Sequence, residues 1–284
     1  MCNSRYLKLG LILGLLFIYG YSVEGQRKHL NINKVYVGEL GLGIGAANYY
    51  GDLNTHAGME AVKMSVGAFY RYFLGQYFGA SLHVNYANLG YSDVYNSNDF
   101  QHRRNLSFNS SIFSISLQGD FNFFRFIPGS MKHRFTPYLS VGGGFFHYNP
   151  YAYYKGDKYY LQPLGTEGQG RADSLGTKYD LWSWEIPVEV GVKYNLNKRW
   201  NLFLSISYRF TGTDYLDDVS KRYAGAASFD SDVEPIAVKL QDRSGVYGDP
   251  IGIKGRSRGN SENKDQYVLL QVGISYLFTR YRCP

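Results

Sequence analysis

The chain has 284 residues, 30 Lys and Arg against 23 Asp and Glu, a formal net charge of +7, and 17% aromatic residues, with 28 Tyr, 33 Gly, 8 Pro and 2 Cys. That length holds one large domain or two small ones, and the Tyr and Gly excess favours an all-β architecture. With cysteines only at positions 2 and 283, a fold stapled by several disulfides is excluded.

At the start, Arg5 and Lys8 precede an apolar run from Leu9 to Tyr19, and Val23-Glu24-Gly25 closes it. Residues 1–25 therefore read as a secretory signal peptide, with the mature chain starting near Gln26. A lipoprotein would need a cysteine after the apolar run, and Cys2 lies before it. No later stretch approaches the roughly 18 apolar residues of a membrane helix. Export without such a helix leaves the periplasm, the exterior or the outer membrane. Residues 26–34 read as a periplasmic segment, 35–280 as the folded body, and 281–284 as a periplasmic tail holding the thiol of Cys283.

The first element opens with "ELGLGIG", Glu39 to Gly45, where an aliphatic residue takes every second position. Alternation of this kind is a strand with two unlike faces. Glycine weakens a strand inside a sandwich, but in a small closed barrel it leaves room for large side chains from other strands. Seven more segments follow with the same period. The second sets Val62, Met64, Val66, Ala68, Tyr70 and Tyr72 against Lys63, Ser65, Gly67 and Arg71, with Phe69 out of pattern. The third sets Phe78, Leu82, Val84 and Tyr86 against Gly79, Ser81, His83 and Asn85. The fourth alternates from Phe113 to Phe123 against Ser114, Ser116, Gln118, Asp120 and Asn122.

The fifth is less clean, with Phe135, Leu139, Val141 and Phe145 opposite Tyr138, Ser140, Gly142, Gly144 and Phe146. In the sixth, Trp182 to Tyr194 alternate against Ser183, Glu185, Pro187, Glu189, Gly191 and Lys193. The seventh runs from Trp200 to Phe210 with Phe203 out of pattern and Arg209 on the polar face, and the eighth from Val268 to Phe278. Short links (74–76, about Pro128-Gly129, and 197–199) alternate with long ones at 47–61, 87–109, 149–181 and 211–266. Short turns on one side and long polar loops on the other describe an eight-stranded antiparallel transmembrane β-barrel with four long extracellular loops and both termini in the periplasm. Aromatic residues at both ends of the strands fit two membrane interfaces. A soluble, lipocalin-like barrel would turn the apolar face inward, and the segment from Trp182 to Tyr194 is too uniformly large for such a lumen.

The polar face then lines a lumen just wide enough to be filled by side chains. It carries Glu39, Asp120, Glu185 and Glu189 against Lys63, Arg71, Lys193 and Arg209. Buried charges require partners, so these eight read as a salt-bridged plug rather than a conduction path. Ser81 and His83 are the one hydrolase-like pair, but both fall on the inner face, away from lipid substrate. No spacing supports a zinc or nucleotide site, so a non-enzymatic protein without cofactors is expected, a lipid-modifying enzyme being the weaker alternative. The short-turn side and termini are basic and free of acid, through Arg125, Lys132, Arg134, Lys198 and Arg199 among others. This rim suits either anionic lipid headgroups or an acidic periplasmic partner, while a nucleic-acid partner has no compartment to meet it.

Glu39 to Asn54, "ELGLGIGAANYYGDLN", resembles the start of the barrel in the PorG family, outer-membrane proteins of the type IX secretion system in Bacteroidetes. "TPYLSVGGG" at Thr136 to Gly144 and "VGISYLF" near the end extend the likeness in outline. The resemblance implies a non-enzymatic part of a protein-secretion machine, coupled in gliding relatives to motility. It also implies association with that machine's periplasmic ring, built from a lipoprotein and its partner, and makes Arg125, Lys132, Arg134, Lys198 and Arg199 candidates for the contact face. The competing expectation is an adhesin or structural surface barrel, for which the long fourth loop speaks.

Overall fold

Alternation along the chain becomes eight long strands. The computed structural model describes residues 34–170, 176–229 and 235–281. Its strands are β1 (Lys34–Tyr50), β2 (Lys63–Phe73), β3 (Phe78–Ser92), β4 (Ser107–Asn122), β5 (Phe135–His147), β6 (Pro150–Tyr154), β7 (Asp157–Tyr160), β8 (Trp182–Asn195), β9 (Trp200–Thr211) and β10 (Gln266–Tyr281). Residues 36–280 form one unit; of the second, only Lys34, Val35 and Tyr281, the ends of β1 and β10, are described. The expected signal peptide, Cys2 and Cys283 lie outside the described residues.

The hydrogen-bonded order is β3-β2-β1-β10-β9-β8-β5-β4, and pairing of β3 with β4 closes the ring. The result is a closed eight-stranded antiparallel β-barrel, which leaves no free edge among its wall strands. β6 and β7 form an extra hairpin that continues along β4 beyond the end of β5. It lies within the 149–181 connection, which the alternation pattern marks as a long loop.

The glycines of β1 make room for the two residues that broke the pattern. Phe69 and Phe203 both point inward and meet edge to face, ring centroids 5.2 Å apart. A Cβ on Gly41 would overlap the Phe69 ring, and one on Gly43 would stand 2.9 Å from that of Phe203. At Gly45 the obstacle is the backbone carbonyl of Leu270, so β10 crosses the space a side chain would need.

On β3 and β4 the two faces exchange chemistry. On β3, inward Ser81, His83 and Asn85 give way to inward Ala87, Leu89 and Tyr91, while outward Leu82, Val84 and Tyr86 give way to Asn88 and Ser92. The partner β4 largely does the same: outward Leu117, Ile115 and Phe113 are followed by Ser111, Asn109 and Ser107, and inward Ser114 by Ile112, Ser110 and Phe108. On these two strands the apolar outer face therefore ends at Tyr86 and Phe113. On the outside of the wall Leu42 and Ile44 are each 63% exposed and Leu117 64%.

Beyond that level the long connections fold together. Inward Tyr49, Leu89, Phe108 and Phe146 join Leu53, Leu161, Leu216 and Leu240 of the loops in one apolar core. Short helices at Asp99–Arg104, Leu161–Leu164 and Pro235–Gln241 belong to this cap. The cap also holds buried ion pairs. Arg104 grips Asp93 with two bonds of 2.7 Å, and Arg258 reaches Glu167 at 3.2 Å.

Candidate functional site

Seven of the eight charges assigned to the lumen are buried there. Arg71 lies between two carboxylates, its Nε 2.5 Å from Asp120 Oδ2 and its Nη1 3.0 Å from Glu39 Oε2. Asn201 and Ser275 also donate to Glu39. Nearer the cap, Arg209 pairs with Glu185, whose second oxygen accepts from the Tyr267 hydroxyl at 2.5 Å. Lys193 donates to Asn122 at 3.1 Å and stands 4.1 Å from the Tyr138 ring centroid, and Tyr138 donates to Glu189 at 2.7 Å. The eighth, Lys63, departs from the expectation. As the first residue of β2, paired with Ala47 above the network, it is exposed at the strand end and joins none of these contacts. Parity placed it on the inner face but could not tell how deep it sits.

The Tyr partners Tyr138 and Tyr267 lay on the polar parity, and their bulk hid their polar role. Ser81 does approach His83, 3.0 Å from its Nε2, and donates to Asp120 at 3.2 Å. The acid thus engages the serine rather than orienting the histidine as a triad requires. His83 instead stacks on Phe69 at 5.4 Å.

At the short-turn end, the β4–β5 connection folds back over the mouth. Phe126 is buried, and its amide donates to Gln76 O of the β2–β3 turn. Asn195 of β8 binds the same connection, donating to Ile127 O at 3.2 Å and accepting from Gly129 N at 3.2 Å. This brings Met131 beside Asn197, Lys198, Arg199 and Trp200 around one hollow. Arg134 donates to Met131 Sδ and to the Tyr194 hydroxyl, and Arg199 to the Tyr276 hydroxyl. Lys132, Lys198 and Arg199 are exposed and Arg125 and Arg134 half-buried. Four of the five rim cations are thus gathered by two adjoining turns. Arg125 begins the same connection but shows no contact with the other four.

A further cluster, absent from the sequence reading, fastens the cap. The Tyr49 hydroxyl lies 2.6 Å from Asp217 Oδ2 and 2.8 Å from Asp265 Oδ1. A phenol has one hydrogen, which the two carboxyl groups share. Burial first, then Asp52 and Asp214 at Asp217 and Asp217 and Asp214 at Asp265, hold both well above the usual carboxylate range. Burial likewise pushes Asp52 up to about 6 and Asp214 up to about 7. Separations of 168 and 216 residues between the partners concealed the cluster from any local pattern. Among the described residues, no three His, Cys, Asp or Glu side chains are arranged to hold a metal ion.

A family model described as a domain of unknown function, DUF6089, matches residues 28–230. No curated protein matches the sequence. Among solved structures, Neisserial surface protein A is similar at 12% identity and a TM-score of 0.41, over 85% of this chain and 97% of that one. Ail of Yersinia pestis gives 11%, 0.39, 85% and 99%, and OprG of Pseudomonas aeruginosa 11%, 0.39, 87% and 99%. At these values the likenesses do not bear on function.

Proposed function

The chain belongs to the DUF6089 family, a domain of unknown function, and on that premise we propose that it is a non-enzymatic barrel of the bacterial outer membrane, serving protein export as a component of the type IX secretion machinery. The observation that carries the membrane placement is the exchange of faces. On β3 and β4 the outer face is apolar up to Tyr86 and Phe113 and polar beyond, while the inner face, polar at Asn85 and Ser114, turns mainly apolar through Ala87, Leu89, Ile112 and Phe108. A lipid boundary at that level accounts for both changes at once, because the wall is surrounded by hydrocarbon below it and by water above it. A soluble barrel would have no reason to switch. The capped end then faces the exterior, and the short turns and termini face the periplasm.

The secretion role is supported by the resemblance at Glu39 to Asn54 and by the basic turns. The periplasmic ring of the machine, a lipoprotein and its partner, would dock on Lys132, Arg134, Lys198 and Arg199, with Arg125 alongside. Reversing all five charges to Glu should cut recovery of the ring proteins with the tagged barrel by at least about tenfold, the effect of ~1.4 kcal/mol, while the barrel still inserts. Undiminished recovery would remove the rim as the contact face. The adhesin reading retains one observation, the cap, because its packed core offers a firm outer surface. Deleting residues 212–265 separates the two: an adhesin loses attachment with secretion intact, a secretion component does not.

A further inference from the structure

The secretion reading leaves the outer face of the β6–β7 hairpin unused. Its register pairs Tyr151 with Tyr160, Ala152 with Tyr159, Tyr153 with Lys158 and Tyr154 with Asp157. Directly paired residues share a face. Ala152, Tyr154 and Tyr159 therefore fall on one side, which packs on the apolar core of the cap. Tyr151, Tyr153, Lys158 and Tyr160 fall on the other, where Tyr153 is 51% and Tyr160 45% exposed.

That exposed side is organised. Lys158 Nζ stands 3.7 Å from the Tyr151 ring centroid and 4.7 Å from that of Tyr160. Tyr151 meets Tyr153 and Tyr160 edge to face, with centroids 5.8 and 6.0 Å apart. Two ring faces thus hold a cation in place, and an ammonium has three N–H donors to offer an acceptor.

Register also fixes where the patch points. Tyr151 pairs with Asn109 of β4, so the aromatic side continues the outward side of the wall that carries Phe113, Ile115 and Leu117. Four residues separate Asn109 from Phe113, about 13 Å along the strand. The patch therefore begins just above the apolar band, at the height of lipid headgroups.

We propose that this face binds the phosphorylated sugar headgroup of an outer-leaflet glycolipid, Lys158 taking the phosphate and the three tyrosine rings packing on the sugar. The inference rests on the membrane placement above and is independent of the secretion role. Continuity with the lipid-facing wall selects a lipid over a soluble partner, and the fixed ammonium selects an anionic one. Ring faces are electron-rich and suit the C–H face of a sugar, which a bare glycerophosphate does not offer.

The test uses the full chain in phosphatidylcholine nanodiscs, titrated calorimetrically with deacylated lipopolysaccharide, with the same saccharide dephosphorylated, and with inorganic phosphate. Saturable binding of the phosphorylated saccharide is expected, at least tenfold weaker after dephosphorylation, in Lys158→Gln, and in the Tyr151→Ala, Tyr153→Ala, Tyr160→Ala variant, with Lys158→Arg close to wild type. Inorganic phosphate alone should bind far more weakly. No saturable binding, equal binding of the dephosphorylated saccharide, or wild-type binding by the tyrosine variant would each overturn the proposal. Failure of the chain to enter nanodiscs would instead overturn the membrane placement on which it stands.

Discussion

Replacing Arg71 with methionine should lower the unfolding free energy of the barrel by about 3–5 kcal/mol, the effect of stripping one partner from a buried ion pair. Arg71 is 1% exposed and bridges Glu39 and Asp120, themselves 0% and 2% exposed. Without the guanidinium, two carboxylates sit in the lumen with hydroxyl and amide donors and Lys193 as the remaining nearby cation. The loss comes from the uncompensated charges rather than from the bonds themselves, since ion pairing within a protein roughly offsets its own desolvation. The combined Arg71→Met, Glu39→Gln, Asp120→Asn variant should therefore recover most of the stability. Urea titration of the lipid-reconstituted protein, followed by tryptophan fluorescence, measures both variants. A change below about 0.5 kcal/mol for the single variant, the size of an ordinary surface substitution, would mean that the lumen is hydrated and the plug is not structural.

Raising the pH from 5 to 8 should loosen the last long connection, residues 212–265. Its two ends are fastened to β1 through the proton shared among Tyr49, Asp217 and Asp265. Aspartates in the unfolded chain titrate near 3.9, whereas those of the cap are raised, Asp52 and Asp218 to about 6 and Asp214 to about 7. The folded cap thus holds more protons than the opened one. Its stability is fully present below the unfolded value and is lost progressively as pH rises from there through the folded values, the loss from these three being complete above about 7. Arg104, Arg258 and Lys264 are the cations facing this group. Amide protection at Leu216 and Val219, whose N–H groups donate to Asp265 and Asp217, should fall by at least about tenfold, corresponding to one pKa unit. In Asp217→Asn, whose amide mimics the protonated acid, that fall should shrink, leaving the part carried by Asp52, Asp214 and Asp218. Protection that stays constant or rises with pH would contradict the shared proton.

The wall of the barrel was legible because a strand exposes its two faces with a fixed period of two residues. Glu39, Arg71, Asp120, Glu185, Glu189, Lys193 and Arg209 could be assigned inward by parity alone, as could the pairing of short turns with one end of the barrel. Depth was not legible: Lys63 has the right parity but lies beyond the network. The cap escaped because its order comes from contacts distant in sequence, such as Tyr49 with Asp265 and Arg104 with the carbonyl of Arg258. One local signal was available. In "VNYANLGYS", Val84 to Ser92, the apolar residues change parity after Tyr86, and that change marks both the edge of the apolar band and the start of the cap.

The exchange of faces is tested most directly by spin labels placed singly at each position from 107 to 122 along β4, with Cys2 and Cys283 replaced by serine, in lipid bilayers. Labels at 113, 115, 117 and 121 should collide with oxygen dissolved in the lipid, and those at 114, 116, 118 and 120 with neither oxygen nor a water-soluble nickel chelate. At 109 and 111 the nickel chelate should take over, while 108 and 112 stay shielded from both. Nickel access at 113, 115 and 117 would place the apolar band in water and contradict the membrane barrel.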